Sequence, residues 1–114
     1  MKHYMKLNPR PFDLIKSGQK TIELRLYDDK RSLVNIGDTI EFTNLSDNSE
    51  KLSVKVIALH RFSSFDELYA KLPLLKCGYT DETVSSASPN DMLNYYSREQ
   101  QGKYGVVGIE IELI

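Results

Sequence analysis

Apolar and polar residues alternate strictly from Thr21 to Tyr27, with Ile22, Leu24 and Leu26 on one face and Thr21, Glu23, Arg25 and Tyr27 on the other. Period-two alternation predicts a half-buried strand. It returns at Thr39-Ile40-Glu41-Phe42-Thr43, after a Gly37-Asp38 turn, and at the end of the chain, where Val107, Ile109, Ile111 and Leu113 interleave with Gly108, Glu110 and Glu112. The longest strand candidate runs from Leu52 to Phe62; its parity blurs at Ile57 and Leu59, which predicts a bend or bulge there. Asn44 to Glu50, polar except for Leu45, reads as the loop before it.

Helix signals lie between these runs. Asn8-Pro9-Arg10-Pro11 offers an N-cap and a first-turn proline, Phe12 and Ile15 with Leu14 make a short apolar stripe, and Gly18 stops it after about two turns. Ser64-Phe65-Asp66-Glu67 has capping-box spacing and opens a helix that Pro73 ends near Leu72. Ser88-Pro89-Asn90-Asp91 opens another, through Met92, Leu93, Tyr95 and Tyr96 to about Gln101, closed by Gly102. Strands and capped helices without regular strand–helix–strand alternation predict an α+β fold, a mixed and mainly antiparallel sheet or small barrel with helices at its ends.

A chain of 114 residues with 40% apolar content has room for one domain and supplies one core without disulfides. Its single cysteine, Cys77, has no internal partner, and neither His3 nor His60 has a second histidine at ligand spacing, so no metal site is expected. The first residues lack the apolar run of a leader, and no stretch approaches a membrane span, so a cytoplasmic protein is expected. The formal net charge of -1 argues against coating duplex DNA through charge alone. Residues 1–31, however, carry eight Lys or Arg against four acids, which either scatter as solvated lysines or place a positive surface beside an acidic body, as a phosphate-bearing ligand requires.

The stretch with candidate chemistry is Ser17 to Arg31. Glu23 and Arg25, two apart on a strand, project from one face at about 6.5–7 Å. The arginine fork suits phosphate or a base edge, and the carboxylate orients it or accepts from an amino group; alternatively the two form an ordinary surface pair. By parity Lys20 belongs with Ile22, although the Gly18-Gln19 turn before it leaves room to reach the same cleft from the rim. Among the tyrosines, Tyr79 and Tyr104 stand next to glycines in turns and are the ligand candidates, because exposed tyrosines beside a cationic groove stack single-stranded bases. One of Tyr95 and Tyr96 is expected in the core, Cys77 is expected as a small buried residue, and His60, by the parity of Val54 and Val56, is expected in the core or at its rim.

Gly18, Lys20, Glu23 and Arg25 fill a GxKxxExR pattern, followed by Asp28-Asp29-Lys30-Arg31, by Gly37-Asp38-Thr39-Ile40-Glu41-Phe42 and by a closing Tyr104-Gly105-Val106-Val107-Gly108-Ile109-Glu110. With these features the chain resembles the ASCH domain family across essentially its whole length, as one domain over 1–114. The resemblance implies a PUA-like barrel of about five to six strands with flanking helices, no cofactor, and a charged cleft that binds single-stranded RNA or a nucleotide. It places Gly18, Lys20, Glu23 and Arg25 in the cleft, with Asp28, Lys30 and Arg31 at its rim; Tyr79 and Tyr104 remain the further ligand candidates. Some relatives are similar to amidohydrolases of N4-acetylcytidine or to ribonucleases, for which Lys20 and Glu23 would be the catalytic pair. Where the amidohydrolases carry a threonine three residues after the lysine, this chain has Glu23, and Glu82 is the nearest candidate for their distant glutamate.

Overall fold

The computed structural model describes the whole chain, Met1–Ile114. Five strands, β1 (Lys2–Leu7), β2 (Ile22–Leu26), β3 (Thr39–Asn44), β4 (Asp47–Phe62) and β5 (Val106–Leu113), form one sheet in the order β1-β3-β4-β5-β2. Only β1 and β3 run parallel; every other pair is antiparallel. The sheet curls into a half-barrel of the PUA-like, α+β kind, flanked by α1 (Pro9–Lys16), α2 (Phe65–Lys71) and α3 (Arg98–Tyr104).

The two edge strands of the half-barrel, β1 and β2, do not pair with each other. An open edge leaves backbone groups needing partners, and here cationic side chains supply them. Arg25 Nη2 donates to the Lys6 carbonyl at 2.9 Å and Lys30 Nζ to the Tyr4 carbonyl at 2.8 Å. The seam of the barrel is therefore lined with positive charge.

Apolar side chains fill both faces of the sheet. Inside the curl, Met5, Leu7, Phe12, Ile15, Val34, Ile40, Phe42, Val54, Val56, Val107, Ile109 and Ile111 form one cluster. Ile22, Leu24, Leu26 and Val106 on the opposite face pack with Phe65, Leu68, Cys77 and Met92. Strand β2 is thus covered on both sides, not half-exposed as its alternation predicts: Glu23 is as buried as its apolar neighbours. Gly108 on β5 sits where α2 ends; a Cβ there would lie 2.8 Å from Leu72 Cδ1 and 3.1 Å from Ile22 Cγ2, so a larger residue would have to displace the Leu72 side chain.

Elsewhere the periodic segments fold as their patterns require. Ser64 caps α2 by accepting from the Glu67 amide, and β4 slips register against β5 between Val56 and Ala58, where its parity blurs. That slip sends Leu59 to the core and His60 to the other face, where its Nε2 lies 2.9 Å from Glu110 Oε1, a half-exposed pair at the sheet surface. The polar stretch from Asn44 is a tight hairpin rather than a long loop. Its chain reverses at Leu45-Ser46, the Asn44 side chain holds the Ser46 amide and Glu50, and β4 begins at Asp47. The helix expected from Ser88 to Gln101 is two elements: a 3-10 turn, Pro89–Asn94, and α3, opened by its own capping box at Ser97 and Gln100 and closed at Gly105 instead of Gly102.

Candidate functional site

The chain leaves α1 through Gly18, whose φ of +86° is a left-handed conformation that glycine adopts without steric cost. The Lys20 amide then bonds the Leu14 carbonyl at 3.0 Å and the Thr21 amide the Lys76 carbonyl at 2.9 Å, so Lys20 is fixed before the pleat of β2 begins. This frees its side chain from the parity of Ile22. Glu23 and Arg25 share the inner face of the curl, opposite Ile109 and Val107.

Lys20 Nζ and Arg25 Nε converge on the two oxygens of Glu23, at 2.7 and 2.8 Å. The side chains are only 9%, 12% and 4% exposed for Lys20, Arg25 and Glu23. Burial pushes the Glu23 carboxyl up, but the charges of Lys20 and Arg25 and their hydrogen bonds outweigh it and hold the group at about 2. Gly78 completes the arrangement from across the fold. A Cβ there, at a φ of +111°, would lie 3.2 Å from Lys20 Cδ and 3.6 Å from its Nζ, so the glycine makes room for the lysine.

This cluster forms the floor of a cavity of about 460 Å³ at the barrel seam, within the size range of small-molecule sites. One wall is the end of β1 and the start of α1, with Lys6 and Arg10; the other is the stretch between Tyr69 and Tyr96. Tyr79 donates to Asp91 Oδ2 at 2.6 Å, so Tyr69, 2.7 Å from the Tyr79 hydroxyl, donates to it. Asp91 also accepts the Ser88 amide, anchoring the 3-10 turn to the wall. Burial and the neighbouring Asp91 raise the Tyr79 phenol well above the usual range, so it stays a donor. Tyr96 stacks on Phe65 at 6.0 Å and borders Arg25, while the adjoining Tyr95 is 62% exposed at the cavity mouth.

Lys20, Glu23, Arg25 and Tyr79 therefore meet in one cleft. Gly18 shapes the turn but does not line it, and Asp28 is engaged with Arg31 at 2.9 Å, outside it. Lys30 and Arg31 face a neighbouring notch. Tyr104 packs against the cluster around Phe65, under the Lys103 ammonium at 5.1 Å, away from the cleft. Cys77 borders the cavity, with burial pushing its thiol up to about 11, so it is a packing residue and not a nucleophile. Lys6, Arg10, Tyr69 and Asp91 line the cleft without a local signal in the sequence, and His3 lies away from it. That histidine is buried, 2.8 Å from Asp38, which also accepts the Met1 ammonium at 3.2 Å and the Asn35 amide at 3.0 Å.

The depressed carboxyls of Glu23 in the cleft and Asp38 beside the amino terminus both make stability fall in acid. Glu23 shifts from 4.5 to about 2 and Asp38 from 3.8 to about 2. A depressed group contributes stability fully above its unfolded value and loses it as pH falls through the folded one. Urea midpoints should therefore be insensitive to these groups near neutrality and fall steeply as pH drops from about 4.5 towards about 2. Glu23→Gln, already less stable at neutral pH, should show a shallower acid limb.

The family model of the ASCH domain matches residues 5–114. The chain belongs to the ASCH domain family. The hypothetical protein PH0355, whose crystal structure is known, is 38% identical and superposes with a TM-score of 0.83, each chain covered over 100% of its length. Protein PF0455 from Pyrococcus furiosus, solved in solution, is 34% identical with a TM-score of 0.76, covering 100% of this ASCH chain and 98% of its own. A point variant of ZmASCH from Zymomonas mobilis shares the fold at a TM-score of 0.67 and 13% identity, over 98% of this chain and 70% of that one. No curated protein matches. No helix of this ASCH domain is long and apolar enough to cross a membrane.

Proposed function

We propose that this ASCH domain binds single-stranded RNA or a nucleotide in the seam cleft, in the cytoplasm. The observation that carries the reading is the floor of the cleft: two cations held rigid by one buried, ionised carboxylate, in a cavity of nucleotide size with an exposed tyrosine at its mouth. Arg25 Nε donates to Glu23 and Nη2 to the Lys6 carbonyl, and the guanidinium also meets the Tyr96 hydroxyl; its remaining N–H groups suit phosphate or a base edge. Lys6 and Arg10 add positive charge on one wall. Binding is the stronger reading than catalysis because Glu23, held at about 2, has no proton to donate near neutrality and is a weak base, and both its oxygens are engaged. The family's RNA-binding-like fold supports the same ligand class.

Tyr95→Ala tests the reading without touching the buried cluster. Loss of one stacking platform costs about 1 to 3 kcal/mol per base, so affinity for a short single-stranded RNA, followed by fluorescence anisotropy at fixed salt, should fall about 5- to 150-fold. Unchanged affinity would remove the tyrosine mouth from the binding site. Turnover of N4-acetylcytidine or cleavage of the RNA, abolished in Lys20→Ala, would replace the binding reading with the catalytic one.

A further inference from the structure

A second cavity of about 360 Å³ lies at the same seam, sharing Lys6 and Arg25 with the cleft and lined also by Tyr4, Lys30, Arg31 and Thr43. Its charges do not balance. Arg25 is matched by Glu23 and Arg31 by Asp28, but Lys6 and Lys30 make no ion pair, and Lys30 rests on the Tyr4 carbonyl, a neutral acceptor. The Arg31 Nε–H is buried and has no acceptor at all, although unpartnered buried donors are rare and costly. The Lys30 ammonium is drawn down by desolvation and by the proximity of Arg31, Arg25 and Lys6, with Asp28 alone acting against them. Four cations around one notch with two carboxylates between them leave the place of an anion open.

We infer that this notch is a phosphate subsite, formed by Lys6, Lys30 and Arg31 on the far side of Arg25, for a nucleotide whose base occupies the tyrosine-walled cleft. The inference rests on the reading of the cleft given above and narrows it: the domain takes nucleotides and RNA in preference to nucleosides. Arg25, fixed between Glu23 and the Lys6 carbonyl, borders both cavities and links the base to its phosphate. An anion there gives the ammonium groups of Lys6 and Lys30, which have no ion-pair partner, charge-assisted hydrogen bonds, the stronger kind.

The test compares cytidine, its 5′- and 3′-monophosphates and a short single-stranded RNA, by calorimetry on the full chain and on Lys30→Gln. Lys30 is exposed and tied only to a carbonyl, so the substitution leaves the core intact. One phosphate contact should make at least one monophosphate bind about tenfold or more tighter than cytidine. In Lys30→Gln that ratio should fall towards unity, and the slope of RNA affinity against salt should lessen by about one. If RNA binds but cytidine and both monophosphates bind alike, or if Lys30→Gln leaves the ratio unchanged, the notch is not a phosphate site while the cleft stands. If neither RNA nor any of the small ligands binds, the reading of the cleft fails and the subsite falls with it.

Discussion

Glu23→Ala should lower the free energy of unfolding by about 3–5 kcal/mol, because it leaves two buried cations facing each other with no counter-charge. Lys20 and Arg25 are both close to fully buried and both bond to this one carboxylate. Gly78 packs on the lysine and the guanidinium is tied to β1, which holds both cations in place. Urea unfolding followed by circular dichroism measures the loss, which for a domain this size corresponds to a drop in melting temperature of more than about 10 °C. Glu23→Gln should fall short of this by keeping acceptor and shape while losing charge. A loss below about 1 kcal/mol, the range of an exposed pair, would mean that the cluster is not held together as described.

Arg25→Ala should weaken RNA binding by about 30-fold or more, because truncating one partner of a hydrogen-bonded charge network costs about 2 kcal/mol or above. The arginine touches both seam cavities, orients itself on Glu23, and spans from β2 to the open edge of β1. Arg25→Lys should rescue little. A single ammonium is unable to bond Glu23 and the Lys6 carbonyl and still present a planar fork to a ligand. Paired anisotropy and unfolding measurements separate the roles: Arg25→Lys should retain most of the stability while losing most of the affinity. Near-normal affinity in a folded Arg25→Ala protein would exclude the floor of the cleft from binding.

Much of the fold is legible in the sequence. Strict alternation in Thr21–Tyr27, at Thr39–Thr43 and from Val107 onward specifies strands, because the pleat forces period two on any face that packs. The Ser64 cap and the β4 bulge are local signals of the same kind. Strand β1 gives a weaker signal: His3, Met5 and Leu7 alternate with Lys2, Tyr4 and Lys6, but its inward positions include a histidine that is buried only by virtue of Asp38. The element that opens after Ser88 ends at Asn94, short of the expected Gln101. The apolar spacing of Met92, Tyr95 and Tyr96 serves a 3-10 turn as well as an α-helix, and the capping box at Ser97 and Gln100 marks the true second start.

The cleft divides in the same way. Glu23 and Arg25 follow from strand parity, whereas the direction of Lys20 is settled by Leu14, Lys76 and Gly78, contacts that no local pattern encodes. The opposite wall comes from residues 69–96, largely irregular backbone held by the Tyr69–Tyr79–Asp91 hydrogen-bond chain. Its members become visible only once the chain folds back on β2. The positive bias of residues 1–31 is visible in the sequence, but the way Arg25 and Lys30 satisfy carbonyls on the unpaired edge of β1 is a property of the folded half-barrel.

The most direct test of the cleft is an amide chemical-shift titration of the full chain with a short single-stranded RNA. The account predicts shifts concentrated at Lys6–Asn8, Lys20–Arg25, Gly78–Tyr79 and Met92–Tyr96, the segments that enclose the seam cavity. Shifts confined to the outer surface around His60 and Glu110, or no shifts at RNA concentrations that saturate a specific complex, would contradict it.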